Sequence, residues 1–259
     1  MRRLVSRIGA RLPKGWGDAA RQLSLFVMAD LGYEFVRGIT EGKASAAFAN
    51  TAKVIDLERA TGTFFEPGLQ KLLLPEHWLV STLNWMYLNT HFVVTTSFLL
   101  WLYLFRNDAF YFVRNMFMVA MGLALVGYTL FPVAPPRMTT GFGFVDTIHD
   151  ISNVNQDSDL LKVLVNPYAA VPSMHIAFSL MIGVPGFRIS RHRLSKAFWA
   201  LYPALVFLVI VGTANHFWFD AAAGAVVAVV AALAAHRLLA RVRPAAWAWR
   251  QPEVRASAA

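Results

Sequence analysis

Residues 78–105 read WLVSTLNWMYLNTHFVVTTSFLLWLYLF. This apolar block exceeds the roughly 20 residues that a helix rising about 1.5 Å per residue needs to cross a hydrocarbon core of about 30 Å. Similar blocks recur along the chain. Further spans are expected at 110–131, ended by Pro132, at 172–186, closed by Pro185 and Gly186, at 197–213 and at 217–236. A weaker one at 22–39 carries Asp30, Glu34 and Arg37. Bare lipid penalises such charges, so they are expected to face protein or the interface. Between this segment and the 78–105 block, residues 49–59 read as an amphipathic helix. The sequence therefore predicts an all-α integral membrane protein, a six-helix transmembrane bundle with an amphipathic segment between spans 1 and 2.

Composition agrees. Hydrophobic residues make up 57% of the chain and charged residues 15%, whereas soluble domains are nearer half and a quarter. The absence of cysteine excludes disulfides, thiolate catalysis and cysteine-ligated metals. The net charge of +9 sits on the flanks of the spans. Arg2, Arg3, Arg7, Arg11, Lys14 and Arg21 precede span 1. Arg188, Arg191, Arg193 and Lys196 lie between spans 4 and 5, and Arg237, Arg241, Arg243 and Arg250 follow span 6. Six spans put all three groups on one side, the cytoplasmic side by the positive-inside rule. The expected partner of this charge is anionic lipid, not nucleic acid. The basic N-terminus lacks the apolar core and cleavage site of a signal peptide and reads as a retained flank. The chain thus divides into a basic cytoplasmic N-terminus (1–21), a transmembrane domain (22–238) and a basic tail (239–259).

The long 133–171 loop and the short turn before span 6 then face the exterior, periplasm or lumen together. Three segments converge there: Pro135-Pro136-Arg137, Pro172-Ser173-Met174-His175, and Asn215-His216-Phe217-Trp218-Phe219-Asp220. His216 and Asp220 stand four apart and share a helix face. The carboxylate can fix the imidazole tautomer and strengthen the ring as a nucleophile. His175 falls in the first turn of a helix, where free backbone N–H groups attract an anion such as phosphate. Arg137 offers a fixed fork of donors to phosphate oxygens. Together these groups suit in-line phosphoryl transfer through a phosphohistidine.

In order and spacing, these motifs resemble the type 2 phosphatidic acid phosphatase superfamily, and more closely its inositol phosphorylceramide synthase-like branch. Asn84, Tyr87 and His91 in the second span and Leu57-Glu58-Arg59 upstream support the resemblance, which covers about residues 23–236. It implies that His216 takes the phosphoryl group, Asp220 orients it and His175 protonates the leaving group. Arg137 clamps the phosphate, and Ser173 with the local backbone completes the cradle. It implies no cofactor and no metal. Four positions depart from the broad phosphatase pattern. Leu130 replaces a lysine, Val209 and Ile210 replace Ser-Arg, and Met174 replaces a glycine. These departures favour a lipid phosphotransferase over members acting on soluble substrates.

Other readings stay open. Asn84, Tyr87 and His91 share a helix face and either line the substrate site or bond neighbouring helices. Asp146 either lines the site or caps a loop. Tyr168 lines it or anchors at the interface. A plain lipid phosphate phosphatase uses the same residues with water as acceptor. A transporter would line a path with its intramembrane polar groups. A metal or haem protein would use His91, His175 and His216.

Overall fold

The structure, a computed structural model, describes residues 12–40, 43–151 and 168–239. It is helical, with no strand among the described residues beyond an isolated bridge between Val133 and Ala169. In chain order the helices are α1 (Gly15–Thr40), α2 (Ala44–Ala60), α3 (Glu66–Leu73), α4 (His77–Phe105), α5 (Asn107–Leu130), α6 (Thr147–Asp150), α7 (Met174–Ile189), α8 (Arg193–Gly212) and α9 (Trp218–Leu233), which runs on as a wider turn, Ala234–Leu239. The expected flank residues Arg2, Arg3, Arg7, Arg11, Arg241, Arg243 and Arg250 lie outside the described residues, as does the middle of the 133–171 loop.

Among the described residues, four helices are long and apolar enough to cross a membrane: α4, α5, α8 and Trp218–Arg237. Such helices suit a multi-pass membrane protein. The other two expected spans differ from these. Helix α1 is a single helix of 26 residues, but the charges from Asp18 to Arg37 set it apart. Helix α7 is apolar and shorter, at 16 residues. It does not stop at Pro185 and Gly186 as the sequence predicted. Proline removes one intrahelical hydrogen bond, yet the helix continues to Ile189 with Pro185 inside it.

The core is the seam where α4, α5, α7, α8 and α9 meet. Leu102, Val113, Phe117, Ala120, Ala177, Ile182, Ile210 and Ala231 are buried there. Helix α1 docks through polar groups at one end of this seam. Asp18 accepts hydrogen bonds from Tyr111 Oη at 2.7 Å and Tyr103 Oη at 3.1 Å. Arg114 Nη1 donates to Gln22 Oε1 at 2.6 Å, so the arginine inside α5 is satisfied by its neighbour.

The segment 40–77 folds into α2 and α3. The buried face of α2 runs Ala47, Thr51, Val54, Ile55, Glu58. It keeps the helical period but includes two polar residues, and it faces protein. Thr51 Oγ1 accepts from Ala134 N at 3.0 Å, and Asn50 Nδ2 donates to the Pro132 carbonyl at 3.0 Å. Helix α3 holds the loop before α6. Gln70 Nε2 donates to the Val145 carbonyl, and Val145 N donates back to Gln70 Oε1.

Candidate active site

Three backbone elements converge at one end of α7 and α9. The first is the strap after α5, where Val133 N donates to the Tyr168 carbonyl and Ala170 N to that of Val133. Beyond it, a turn of 3-10 helix at Pro136–Met138 presents Arg137. The second is the start of α7, capped by Ser173. The third is the turn between α8 and α9. Ala214 there adopts φ +54, a left-handed conformation uncommon for a residue with a Cβ. That turn lets Asn215 N and His216 N both donate to the Ile210 carbonyl. Strain of this kind is commonly held at functional sites.

Arg137 is fixed from three directions. Its backbone N–H donates to the Ala214 carbonyl at 2.9 Å. Its Nε donates to Asn215 Oδ1 at 2.9 Å, and its Nη1 to Asp146 Oδ2 at 2.8 Å. Asn215 is braced in turn, its Nδ2 donating to Thr213 Oγ1 at 2.7 Å. Asp146, for which the sequence left site lining or loop capping open, caps a helix and meets Arg137. Its Oδ1 caps α6 by accepting from Ile148 N and His149 N, while Oδ2 orients the guanidinium.

His216 Nδ1 lies 3.1 Å from Asp220 Oδ2. With the proton on Nδ1, the carboxylate holds that tautomer and leaves the lone pair of Nε2 for attack. Burial pushes the imidazole of His216 down to about 3; a hydrogen bond with the Ala170 carbonyl opposes this, and Arg137 adds to it. The ring is therefore neutral at physiological pH, as a nucleophile requires. The His175 ring centroid is 5.5 Å from that of His216. Tyr87 stacks on His175 at 4.7 Å, and His91 packs against it at 4.6 Å. Tyr87 and His91 flank His175 because α4 widens into a π-helical turn at Met86–Thr90, a device frequent at functional sites.

The other sequence candidates separate. Ser173 is fully buried, and its Oγ has no hydrogen-bond partner among the described residues. Its N–H donates to the Asp220 carbonyl at 3.0 Å, which ties α7 to α9. That contact depends on Gly224, where a Cβ would collide with the Ser173 carbonyl oxygen. Asn84 exchanges hydrogen bonds with Thr147, donating to its carbonyl at 2.8 Å and accepting from its Oγ1 at 3.1 Å. It joins α4 to α6 as a bond between neighbouring helices. Tyr168 packs edge-on against Phe48 of α2, with centroids 6.3 Å apart. Among the described residues, no three His, Asp or Glu side chains are placed to hold a metal ion.

Two residues absent from the sequence-derived site, Glu58 and Glu66, prove to be part of its frame. Both are fully buried. Glu58 Oε1 accepts from Phe219 N at 3.1 Å, and Glu66 Oε1 from Trp218 N at 3.0 Å. Asp220 Oδ2 accepts from Phe217 N at 3.0 Å. Three successive N–H groups at the start of α9 are thus taken by three carboxyl groups. Burial, with the adjacent Glu66 carboxylate, pushes Glu58 up to about 9, so Glu58 is protonated at neutral pH. The α9 terminus is closed to an anionic ligand. Arg137, Ser173 and the rings of His175 and His216 gather beside this closed terminus.

Glu58 carried a signal, since it falls in register with Thr51, Val54 and Ile55 on the buried face of α2. Asn215 stood in the third motif, though its bond to Arg137 was not legible there, and Glu66 carried no signal, because its role depends on a distant segment.

A comparison with curated proteins finds no match, and one with solved structures finds none either. The protein-family model of the PAP2 superfamily matches residues 52–234, a range that begins in α2, ends just past α9 and takes in all the site residues named above. Members of this superfamily transfer or hydrolyse phosphoryl groups, and by that match the chain belongs to it.

Proposed function

We propose that this protein is a membrane-embedded lipid phosphotransferase working through a phosphohistidine, with transfer to an alcohol, as in inositol phosphorylceramide synthesis, preferred over hydrolysis. The observation that carries the reading is the 3.1 Å His216–Asp220 pair facing His175 beside a braced Arg137. In the first step His216 Nε2 attacks phosphorus and the ester P–O bond breaks. His175 supplies the proton that the departing oxygen needs, and Arg137 with the α7 N–H groups balances the charge on the phosphoryl oxygens. In the second step an acceptor hydroxyl attacks phosphorus and returns its proton to His175. The N–P bond breaks, and His216 is restored. Such positioning and electrostatic stabilisation need no divalent metal.

The donor is membrane-anchored in this reading. Leu130, where the resembled pattern has lysine, is 76% exposed, and Val209 and Ile210 are buried in α8. An acyl or prenyl chain contributes about 0.8 kcal/mol per buried CH₂, so the phosphate group itself needs fewer cationic partners. Helices α1 and α7 complete six spans with the four long apolar helices. Both termini and the α7–α8 loop then lie in the cytoplasm, and the site opens on the opposite face.

The test is turnover by purified protein of a long-chain lipid phosphodiester or phosphomonoester, with and without a polyol acceptor, against a short-chain soluble analogue. A new phosphate ester of the acceptor and an acid-labile phosphoprotein are expected. Equal turnover of the soluble analogue defeats the membrane-donor reading, and water as sole acceptor reduces the activity to that of a phosphatase.

A further inference from the structure

At the end of α7 and α8 remote from the candidate site, the fold leaves a groove of about 690 Å³ between α4, α7 and α8. That volume lies in the range of small-molecule sites. One wall is apolar. Phe98 stacks with Trp101, with centroids 6.0 Å apart, and Trp199 meets Phe98 at 4.8 Å. The groove owes its depth to Gly186, where a Cβ would collide with the Trp199 ring. With no side chain there, the indole lies flat against α7. The lining runs along α4 from Val93 to Arg106, about 20 Å at the helical rise, enough to accommodate the chain region of one leaflet.

The mouth of the groove is basic and hydroxylated. Arg106, Arg191 and His192 line it with Ser190 and Ser195. The side chain of Arg106 is 40% exposed; one edge meets Asp108 at 3.3 Å. The Ser190 and Ser195 hydroxyls lie 2.7 Å apart. The mouth coincides with the N-terminus of α8, a helix of 20 residues whose N-cap is His192 and whose end favours negative charge. The connecting residues 188–196 contain Arg188, Arg191, Arg193 and Lys196 and no carboxylate.

We infer that this groove is a binding site for an anionic glycerophospholipid of the leaflet opposite the candidate active site, the headgroup phosphate at Arg106 and Arg191 and one acyl chain along Trp101, Phe98 and Val93. Charge selects the occupant. A zwitterionic lipid would bring its own cation to a mouth that already holds two arginines, whereas an anionic lipid brings none. The site is separate from the reaction. Its mouth stands at the far end of α7 from His175, fourteen residues or about 20 Å away along the helix.

The experiment uses the full chain in non-ionic detergent with phosphatidylglycerol carrying a photoreactive acyl chain, and phosphatidylcholine with the same chains as control. Crosslinks are mapped by mass spectrometry. Phosphatidylglycerol should label peptides containing Val93–Trp101 and Ser195–Trp199 in preference to phosphatidylcholine. Arg191→Gln and Arg106→Gln should each weaken that labelling about five-fold, the worth of one basic residue near a membrane surface. Arg191 is exposed, so its variant keeps the test valid if Arg106→Gln folds poorly. Equal labelling by both lipids, labelling confined to peptides around His175 and His216, or no loss in Arg191→Gln would overturn the proposal. Full displacement by inorganic phosphate alone would also overturn it, by reducing the groove to a free-anion site.

Discussion

Helices α7 and α9 begin side by side, and their first turns are treated in opposite ways. At α9 the N–H groups of Phe217, Trp218 and Phe219 are taken by carboxyl oxygens of Asp220, Glu66 and Glu58. At α7 the cap is Ser173, whose hydroxyl is buried without a partner. A helix N-terminus carries the same partial positive charge in either case. In one helix that charge is consumed by the protein, which fixes the helix and the histidine held by its Asp220. In the other, on the proposed mechanism, it is left for a ligand. On that reading the comparison separates the group that attacks from the cradle that receives.

The harshest way to break this division is to remove the attacking group. His216→Ala should lower turnover of a lipid phosphate by at least about 10³-fold, and Asp220→Asn by about 10²–10⁴-fold with the fold retained. Thermal melting in detergent checks folding, and trapping of an acid-labile phosphoprotein checks the step lost. Substantial turnover in His216→Ala would remove the nucleophile from the α9 side altogether.

Next come the carboxyl groups that close α9. Glu58→Ala or Glu66→Ala leaves a backbone N–H unpaired and buried, at about 1–3 kcal/mol. Turnover should fall about ten-fold as the first turn loosens. Glu58→Gln keeps the acceptor for Phe219 and is neutral like the protonated glutamic acid, so it should retain both stability and rate. The pH dependence sharpens the point. Glu58 is raised in the folded state from 4.5 to about 9. Its contribution is full below 4.5, declines as pH rises and is lost above about 9. Glu58→Gln should flatten that decline. An unchanged melting profile in Glu58→Ala would show that α9 needs no outside cap.

Arg137→Lys should act less severely. A lysine keeps the charge but loses the fork that reaches Asn215 and Asp146 together. About 10- to 100-fold in kcat/KM is expected from charge-assisted bonds of this kind. Asn215→Ala should fall in the same direction and by less. A rate equal to wild type in Arg137→Lys would mean that the bracing is irrelevant to the cradle.

The sequence exposed one side of this comparison more fully than the other. His216 and Asp220 stand four apart and His175 falls in the first turn of a helix, so spacing alone states their local geometry; Ser173 enters through the family resemblance, and Arg137 through its fork of donors and that resemblance. The apolar blocks likewise show themselves, because lipid demands long uninterrupted stretches. The limits of α7 were misread because Pro185 reads as a stop, whereas the surrounding helices hold the turn beyond it. Glu66 was not legible at all. It acts on Trp218, a residue 152 positions away, and nothing near it announces a partner. Asn84 shared a helix face with Tyr87 and His91, but only the fold separates its bond to Thr147 from their packing on His175.

The smallest expected effect tests the open terminus most directly. Ser173 Oγ is buried and unpartnered, which in a purely structural residue is a cost with no return. If the hydroxyl serves only packing, Ser173→Ala should leave both stability and rate unchanged, or raise stability slightly by removing an unsatisfied polar group. If it donates to a phosphoryl oxygen, the two readouts should part. The melting temperature of the empty protein should hold or rise, while kcat/KM falls about 3- to 10-fold, the worth of one ordinary hydrogen bond. Ser173→Thr keeps the hydroxyl but crowds the seam beside Gly224, so it should lose stability and thereby distinguish donor chemistry from fit. A fall in stability together with rate in Ser173→Ala would place the hydroxyl in the frame, and α7 would then resemble α9 instead of opposing it.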